Sequence, residues 1–191
     1  ARFEVCAQRW IDLGEWGYGV GLLNDCKYGH DVLGNVMRIS LLRGAERSRE
    51  PESTTDQGEH RFTYSLRPHA GDWRDAGVIE RSAELNQPML ATPAGDGGDL
   101  PARFGFVRSD TPGFVISAVK KCEDDDRLIV RGYEAHGGRG EVTLTFGRPI
   151  ADAWQSRADE REDESLDVLT DTAVGLTVRP YEVVTLKVEP A

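Results

Sequence analysis

Two short runs in this 191-residue chain gather side chains that could do chemistry. The first is Asn24-Asp25-Cys26-Lys27-Tyr28-Gly29-His30-Asp31, and the second is Asp56-Gln57-Gly58-Glu59-His60. Carboxylates, amides, ammonium groups and imidazoles of this kind hold polar ligands by directional hydrogen bonds. Asp25, Lys27 and His30 in the first run, and Asp56, Gln57 and His60 in the second, are candidate contacts to a substrate or to a neighbouring domain. Each run also has a plainer reading. Asn24-Asp25 suits a turn that bonds its own backbone, and residues 44–58 form a long polar loop of the kind that is either functional or unordered. Cys26 and His30 could be imagined as a metal pair, but two donors without a third do not make a zinc site. His69, Asp72 and Trp73 read as a hydrogen-bonded strand end, with Pro68 stopping the ladder and Trp73 packed on the sheet edge. Gly137-Gly138-Arg139-Gly140 lacks the lysine of a phosphate loop and reads as a hairpin turn.

The elements that must position these groups are β-strands. Residues 61–67 alternate Phe62, Tyr64 and Leu66 with Arg61, Thr63, Ser65 and Arg67, the period of a half-buried strand, and predict those three as core. Similar signals lie at 18–23, 36–43, 114–119, 128–133, 142–146, 176–178 and 183–188, with glycine-rich or acidic turns between them. Only three of these strands fall in the first half. A weakly amphipathic helix is predicted over 75–85. The expected class is all-β, an antiparallel sandwich architecture. The Pro- and Gly-rich stretch 93–102 is the linker candidate, dividing a first part, 1–92, from a second, 103–191.

Composition narrows the function classes. The net charge is −10 and no basic stripe is visible, which argues against nucleic acid. Much of the acid sits in residues 157–167, expected to be a solvated loop or short exposed helix. No apolar run reaches membrane-span length and no leader-like segment is visible. Cys6, Cys26 and Cys122 are too few and too far apart for a disulfide framework, so reduced thiols and a cytoplasmic setting are expected.

Several segments together resemble a known family. They are Phe3-Glu4-Val5-Cys6-Ala7-Gln8-Arg9-Trp10-Ile11-Asp12-Leu13, the run Gly19 to Asp31, Leu41-Leu42-Arg43, and the run Asp56 to Trp73. Further on come Ser117-Ala118-Val119-Lys120-Lys121-Cys122-Glu123-Asp124, Val130 to Gly137, and Arg179-Pro180-Tyr181-Glu182-Val183-Val184-Thr185-Leu186. In order and spacing these resemble the C-terminal region of glycoside hydrolase family 38, the α-mannosidases, in the branch of the cytosolic enzymes and their bacterial relatives. Two departures are Cys6, where relatives often have proline, and the acidic character of 155–166.

The resemblance implies the closing part of a large β-sandwich followed by a small terminal β-sandwich. It also implies a parent enzyme that removes terminal α-mannosides with retention, using an aspartate nucleophile, a carboxylic general acid and zinc or another divalent metal. Those groups belong to an N-terminal barrel-like domain that this sequence does not contain. The implied role here is therefore non-catalytic, with no catalytic residue, metal or cofactor in this chain. Its partners would be the catalytic domain of the same polypeptide and the mannoside, with no nucleic acid and no membrane, and self-association through edge strands left open. The rival reading is a stand-alone carbohydrate-binding or oligomerisation module.

Overall fold

Turn residues decide where the β-patterned runs break. The computed structural model describes residues 4–43, 58–93, 95, 97–99 and 101–191, so Asp56 and Gln57 lie outside the described residues. The chain divides into two units, Ala1–Ala94 and Gly95–Ala191.

The first unit holds β1 (Val5–Cys6), β2 (Trp10–Glu15), β3 (Tyr18–Asn24), β4 (Gly29–Leu33), β5 (Val36–Ile39), β6 (Tyr64–Ala70) and helix α1 (Val78–Asn86). Among the described residues six strands form where periodicity predicted three. β1 and β4 were too short or too mixed to show alternation. Gly17 at φ 76° and Gly34 at φ 60° supply the left-handed backbone that closes the β2–β3 and β4–β5 hairpins. Two antiparallel sheets result, in the orders β2-β3-β6 and β1-β4-β5.

β6 begins later than its alternation suggests and runs through Pro68, which pairs with Val20. Pro68 is tolerated because β6 is an edge strand with a ladder on one side only. The expectation that Phe62, Tyr64 and Leu66 are core fails. Tyr64 is 57% and Leu66 64% exposed, and Phe62 is half-buried before the strand starts. Helix α1 covers the other face of the sheet, where Val78 and Ile79 are buried and Trp10 meets Trp73 at 5.1 Å between ring centroids.

That covered face is pinned by one polar pair. His69 Nε2 lies 2.7 Å from Asp12 Oδ2, with both side chains more than nine-tenths buried. The two residues sit on β2 and β6, the strands flanking β3, which neighbouring spacings put about 9–10 Å apart. They meet above β3 because Gly19 and Gly21 raise no side chain between them. A Cβ on Gly19 would lie 2.5 Å from His69 Cε1, and one on Gly21 would lie 3.3 Å from Val78 Cγ1. The hydrogen bond that His69 donates to Asp12 raises the His69 pKa above its ordinary 6.5, against the effect of burial.

The second unit is the antiparallel sandwich that the sequence predicts. Its strands are β7 (Val107–Ser109), β8 (Phe114–Lys121), β9 (Leu128–Glu134), β10 (Gly140–Phe146), β11 (Ile150–Ser156), β12 (Glu162–Ser165), β13 (Asp167–Thr170), β14 (Ala173–Val178) and β15 (Val183–Pro190). A four-stranded sheet, β13-β14-β10-β7, faces a five-stranded one, β12-β11-β15-β9-β8. Val130, Leu144, Val174, Leu186 and Val188 are fully buried between them, each worth about 1.5–3 kcal/mol in apolar burial.

Two turn expectations need correction. The Gly137–Gly140 run is not a hairpin, because β9 and β10 belong to different sheets and the turn carries the chain across the sandwich. The acidic run 157–167 is a turn over 157–161, as expected, but from Glu162 on it contributes to β12 and β13 rather than to a loop or helix. Within it Glu160 is buried, where it accepts hydrogen bonds from Lys120 Nζ at 2.6 Å and from the Glu123 amide at 2.8 Å. On the outer face of β15, Lys187 is buried at 2.8 Å from Asp125, which also takes a bidentate hold from Arg127. Arg127 in turn lies over the Trp154 ring at 5.1 Å.

The Asp12–His69 pair makes stability of the first unit depend on pH. A histidine whose folded pKa is raised contributes stability that is complete below about pH 6.5 and is lost as pH rises through the folded value. Urea unfolding followed by tryptophan fluorescence should show His69→Asn costing more stability at pH 6 than at pH 8.5. Equal losses at the two pH values would remove the charged pair from the account.

Candidate functional site

The side chains with chemical potential in the first unit converge on the connection from β3 to β4. Its base is Asn24, 1% exposed, and its back wall is His30, 0% exposed. Asn24 uses every polar group it has. Its amide donates to the Arg9 carbonyl at 2.8 Å, and its carbonyl accepts from Asn86 Nδ2 at 3.0 Å. Its Oδ1 accepts from the Lys27 amide at 2.7 Å, and its Nδ2 faces His30 Nε2 at 3.4 Å. His30 Nδ1 lies 3.2 Å from the Tyr28 carbonyl, so one ring nitrogen donates and the other accepts. The turn expected of Asn24-Asp25 is therefore formed, and burial raises the cost of losing any one of its bonds. Asn86 Nδ2 also reaches the Ser82 carbonyl at 2.9 Å, which ties the end of α1 to the turn.

The segment that follows the second run meets the first run here. Asp25 Oδ2 accepts from the Thr63 amide at 2.9 Å, and the Asp25 amide donates to the Thr63 carbonyl at 3.1 Å. Lys27 Nζ lies 4.9 Å from the centroid of the Phe62 ring, a cation–π contact. The segment leading into β6 is thus laid along the 25–28 turn, and it carries the exposed His60. The Asp25 pKa is lowered by the Cys26 side chain first and the Thr63 amide second. The Cys26 thiol is raised by the same contact, which makes it a poorer nucleophile or metal ligand at neutral pH.

Gln8, Arg9, Asn24, Asp25, Cys26, Lys27, Tyr28 and Asn86 line a small polar pocket of about 120 Å³ beside this turn. Arg9 borders it in a left-handed backbone conformation, φ 69°. Asn86 and Arg9 are parts of the site that the sequence reading missed. Neither belongs to a polar run, and only the packing of α1 and the bend before β2 bring them in. His30 serves the turn from beneath and presents no surface. Among the described residues no three of His, Cys, Asp or Glu converge so as to hold a metal ion, so a divalent metal finds no fitting donor set there.

Three carboxylates of the second unit are held by specific partners. Glu134 is buried, which alone would raise its pKa, but the backbone amides of Tyr181, Gly138, His136 and Gly137 outweigh burial and hold it low. Glu160 is brought down to about 2, first by Lys120 and then by the Glu123 amide. Asp125 is pushed down by Arg127 and Lys187. Every described carboxylate with a displaced pKa is displaced downward. A general acid working near neutrality needs the opposite.

Comparison with known proteins gives a consistent result. Residues 1–50 match the model of the glycosyl hydrolases family 38 C-terminal domain, and residues 113–186 match that of the family 38 C-terminal β-sandwich domain. Alpha-mannosidase 2C1 of Homo sapiens is 41% identical over 190 residues, covering 97% of this chain and 18% of the relative. Alpha-mannosidase G of Dictyostelium discoideum is 39% identical over 147 residues, covering 76% and 13%. The chain thus spans about a fifth or less of the length of these curated relatives. A family 38 protein from Enterococcus faecalis superimposes with a TM-score of 0.75 at 21% identity, over 97% of this chain and 22% of the other. An alpha-mannosidase from Enterococcus faecalis V583 gives 0.73 at 20%, over 97% and 21%. These two show a shared fold.

The polar turn makes a stability prediction. Asn24→Ala strips the partners from the Lys27 amide and from a buried His30, and should destabilise the first unit by about 1–3 kcal/mol. Lys27→Ala, on the half-buried rim, should leave the urea midpoint nearly unchanged. Equal effects of the two substitutions would show that Asn24 is not the support of the turn.

Proposed function

The chain belongs to glycoside hydrolase family 38, and on that premise we propose that it is the non-catalytic C-terminal part of an α-mannosidase whose mannoside-cleaving groups lie outside it. The observation that carries this reading is the state of the carboxylates. Retaining cleavage of a glycoside takes two carboxyl groups about 5–5.5 Å apart, one of them kept protonated. The carboxylates with displaced pKa described here are instead held ionised by arginine, lysine, a thiol or backbone amides. A divalent metal, in this reading, is held by the part of the enzyme that precedes this chain.

The contribution of the chain is to brace that part and to lend it the 25–28 turn. Asp25, Lys27 and His60 are the exposed or half-buried groups offered on that side, with Asp56 and Gln57 just before His60 in sequence. Lys27 can meet a sugar hydroxyl directly. Asp25 and His30 act by holding the turn in place. The three free thiols fit a reducing, cytoplasmic setting. No described helix is long and apolar enough to cross a membrane.

The test is hydrolysis of 4-nitrophenyl α-mannoside by the full-length polypeptide and by this chain alone. The full-length protein should turn over, and the chain alone should not. Within the full-length protein, Lys27→Ala should raise KM about three- to tenfold with kcat within about twofold, the signature of lost uniform binding. Hydrolysis by the isolated chain that disappears in Asp25→Asn would overturn the non-catalytic reading.

A further inference from the structure

Three loops meet at one end of the second unit. They are 110–113 between β7 and β8, 135–139 between β9 and β10, and 179–182 between β14 and β15. All three lie within the described residues. One buried carboxylate gathers them. Glu134, 6% exposed, accepts from the His136 and Gly137 amides at 2.8 Å each and from the Tyr181 amide at 3.0 Å. Its own amide donates to the Glu182 carbonyl at 2.9 Å, and the Ala135 amide donates to the Gly113 carbonyl at 2.8 Å. Loops fastened to one another in this way present a fixed surface at the end of a sandwich.

Tyr181 is held at both ends on that surface. Its backbone is left-handed at φ 60°, a strained conformation for an aromatic residue, and the bond to Glu134 keeps it there. The phenol end of its ring lies against Gly137, where a Cβ would stand 2.6 Å from Oη and 2.9 Å from Cζ. Tyr181 is nevertheless 67% exposed. A ring fixed in place and left open loses little rotamer freedom when a ligand stacks on it. The stretch that follows Gly137 also borders a cleft of about 140 Å³, where Thr111, Arg139 and Glu141 stand over Phe114 and Val142. Cavities of about 150 Å³ admit a benzene-sized group, so this cleft takes about one ring.

We infer that this loop end is a binding site for a neutral carbohydrate, with Tyr181 as the stacking platform and Thr111, Arg139 and Glu141 as the partners of its hydroxyls. Sugars present apolar C–H faces and hydroxyls together, which matches an open ring beside polar side chains. The charge of the site also points to a neutral ligand. The three loops carry Asp110 and Glu182 against Arg139 and Arg179, an even balance in a chain of net charge −10. An anion would find the His136, Gly137 and Tyr181 amides already taken by Glu134. A protein partner fits less well, because a stable interface takes about 800 Å² from each side, and Tyr181 is the one large apolar side chain that these loops expose. The choice of a mannoside as the first sugar to try rests on reading the chain as part of an α-mannosidase.

Affinity electrophoresis of the full-length protein tests this, in native gels cast with α-mannan, with starch or with no polysaccharide. The wild type should be retarded by α-mannan, and Tyr181→Ala should bind it about tenfold more weakly. Tyr181→Phe keeps the ring and should keep the retardation. Tyr181→Gly suits φ 60°, so it removes the ring without adding strain and should behave like Tyr181→Ala. A sugar held at a catalytic centre retards all four proteins equally, so the difference between them reads this site alone. Equal retardation of the wild type and Tyr181→Gly would overturn the inference, and so would a wild type that neither polysaccharide retards. Retardation by starch alone, lost with the ring, would keep the carbohydrate site and discard the mannoside. Activity is read separately. Ring-dependent retardation of a protein that does not cleave mannosides would keep the site and discard the enzymatic reading, and cleavage with equal retardation would do the reverse.

Discussion

The first unit depends on an absence. β3 is the middle strand of its sheet, and at residues 19 and 21 it carries glycine, so the strands on either side can join hands above it. Asp12 and His69 close that span at 2.7 Å, and α1 lays Val78 into the same depression. A larger residue at either position would lift the helix or part the pair. Because α1 ends at Asn86, the placement of the helix also decides where Asn86 reaches Asn24. The polar turn that carries Asp25 and Lys27 is thus located, through the helix, by two missing side chains four and six residues before it.

The turn shows how a buried polar network sets geometry rather than adding stability. Asn24 exchanges four hydrogen bonds to water for four within the protein, a trade of small net value for each. What it gains is uniqueness, since any other arrangement leaves a buried group without a partner. Lys27 on its rim is restrained mainly by the Phe62 ring. The loop is therefore rigid at its root and adaptable at its edge, which suits a surface that meets another part of a protein.

The sequence made the architecture legible where one face of a strand is buried. In β10, Val142, Leu144 and Phe146 alternate with threonines, and the structure buries those three in the sandwich. Legibility failed where burial depends on something beyond the strand itself. β6 alternates just as cleanly, yet Tyr64 and Leu66 are exposed, because alternation says that a face is apolar and not what covers it. Gly137 to Gly140 has the composition of a hairpin, and only strand order shows that it crosses between sheets. Among the site residues, Asp25, Lys27 and His30 stood out as a polar run. Arg9 and Asn86 did not, since their roles come from backbone bend and helix placement that no local pattern encodes. Family resemblance read the family correctly because it draws on many segments at once, but it does not say what each polar group touches.

The two units also differ in how they treat charge. In the second, Lys187 is buried beneath Asp125 and Arg127, and Glu160 beneath Lys120, so that polar groups seal the outer face of an already complete sandwich. Buried pairs of this kind add little net stability, and a unit with a full core can carry them. Among the described residues, the first unit sets its deeply buried Asp12–His69 pair across a strand, where it fixes how the helix meets the sheet rather than sealing a finished core.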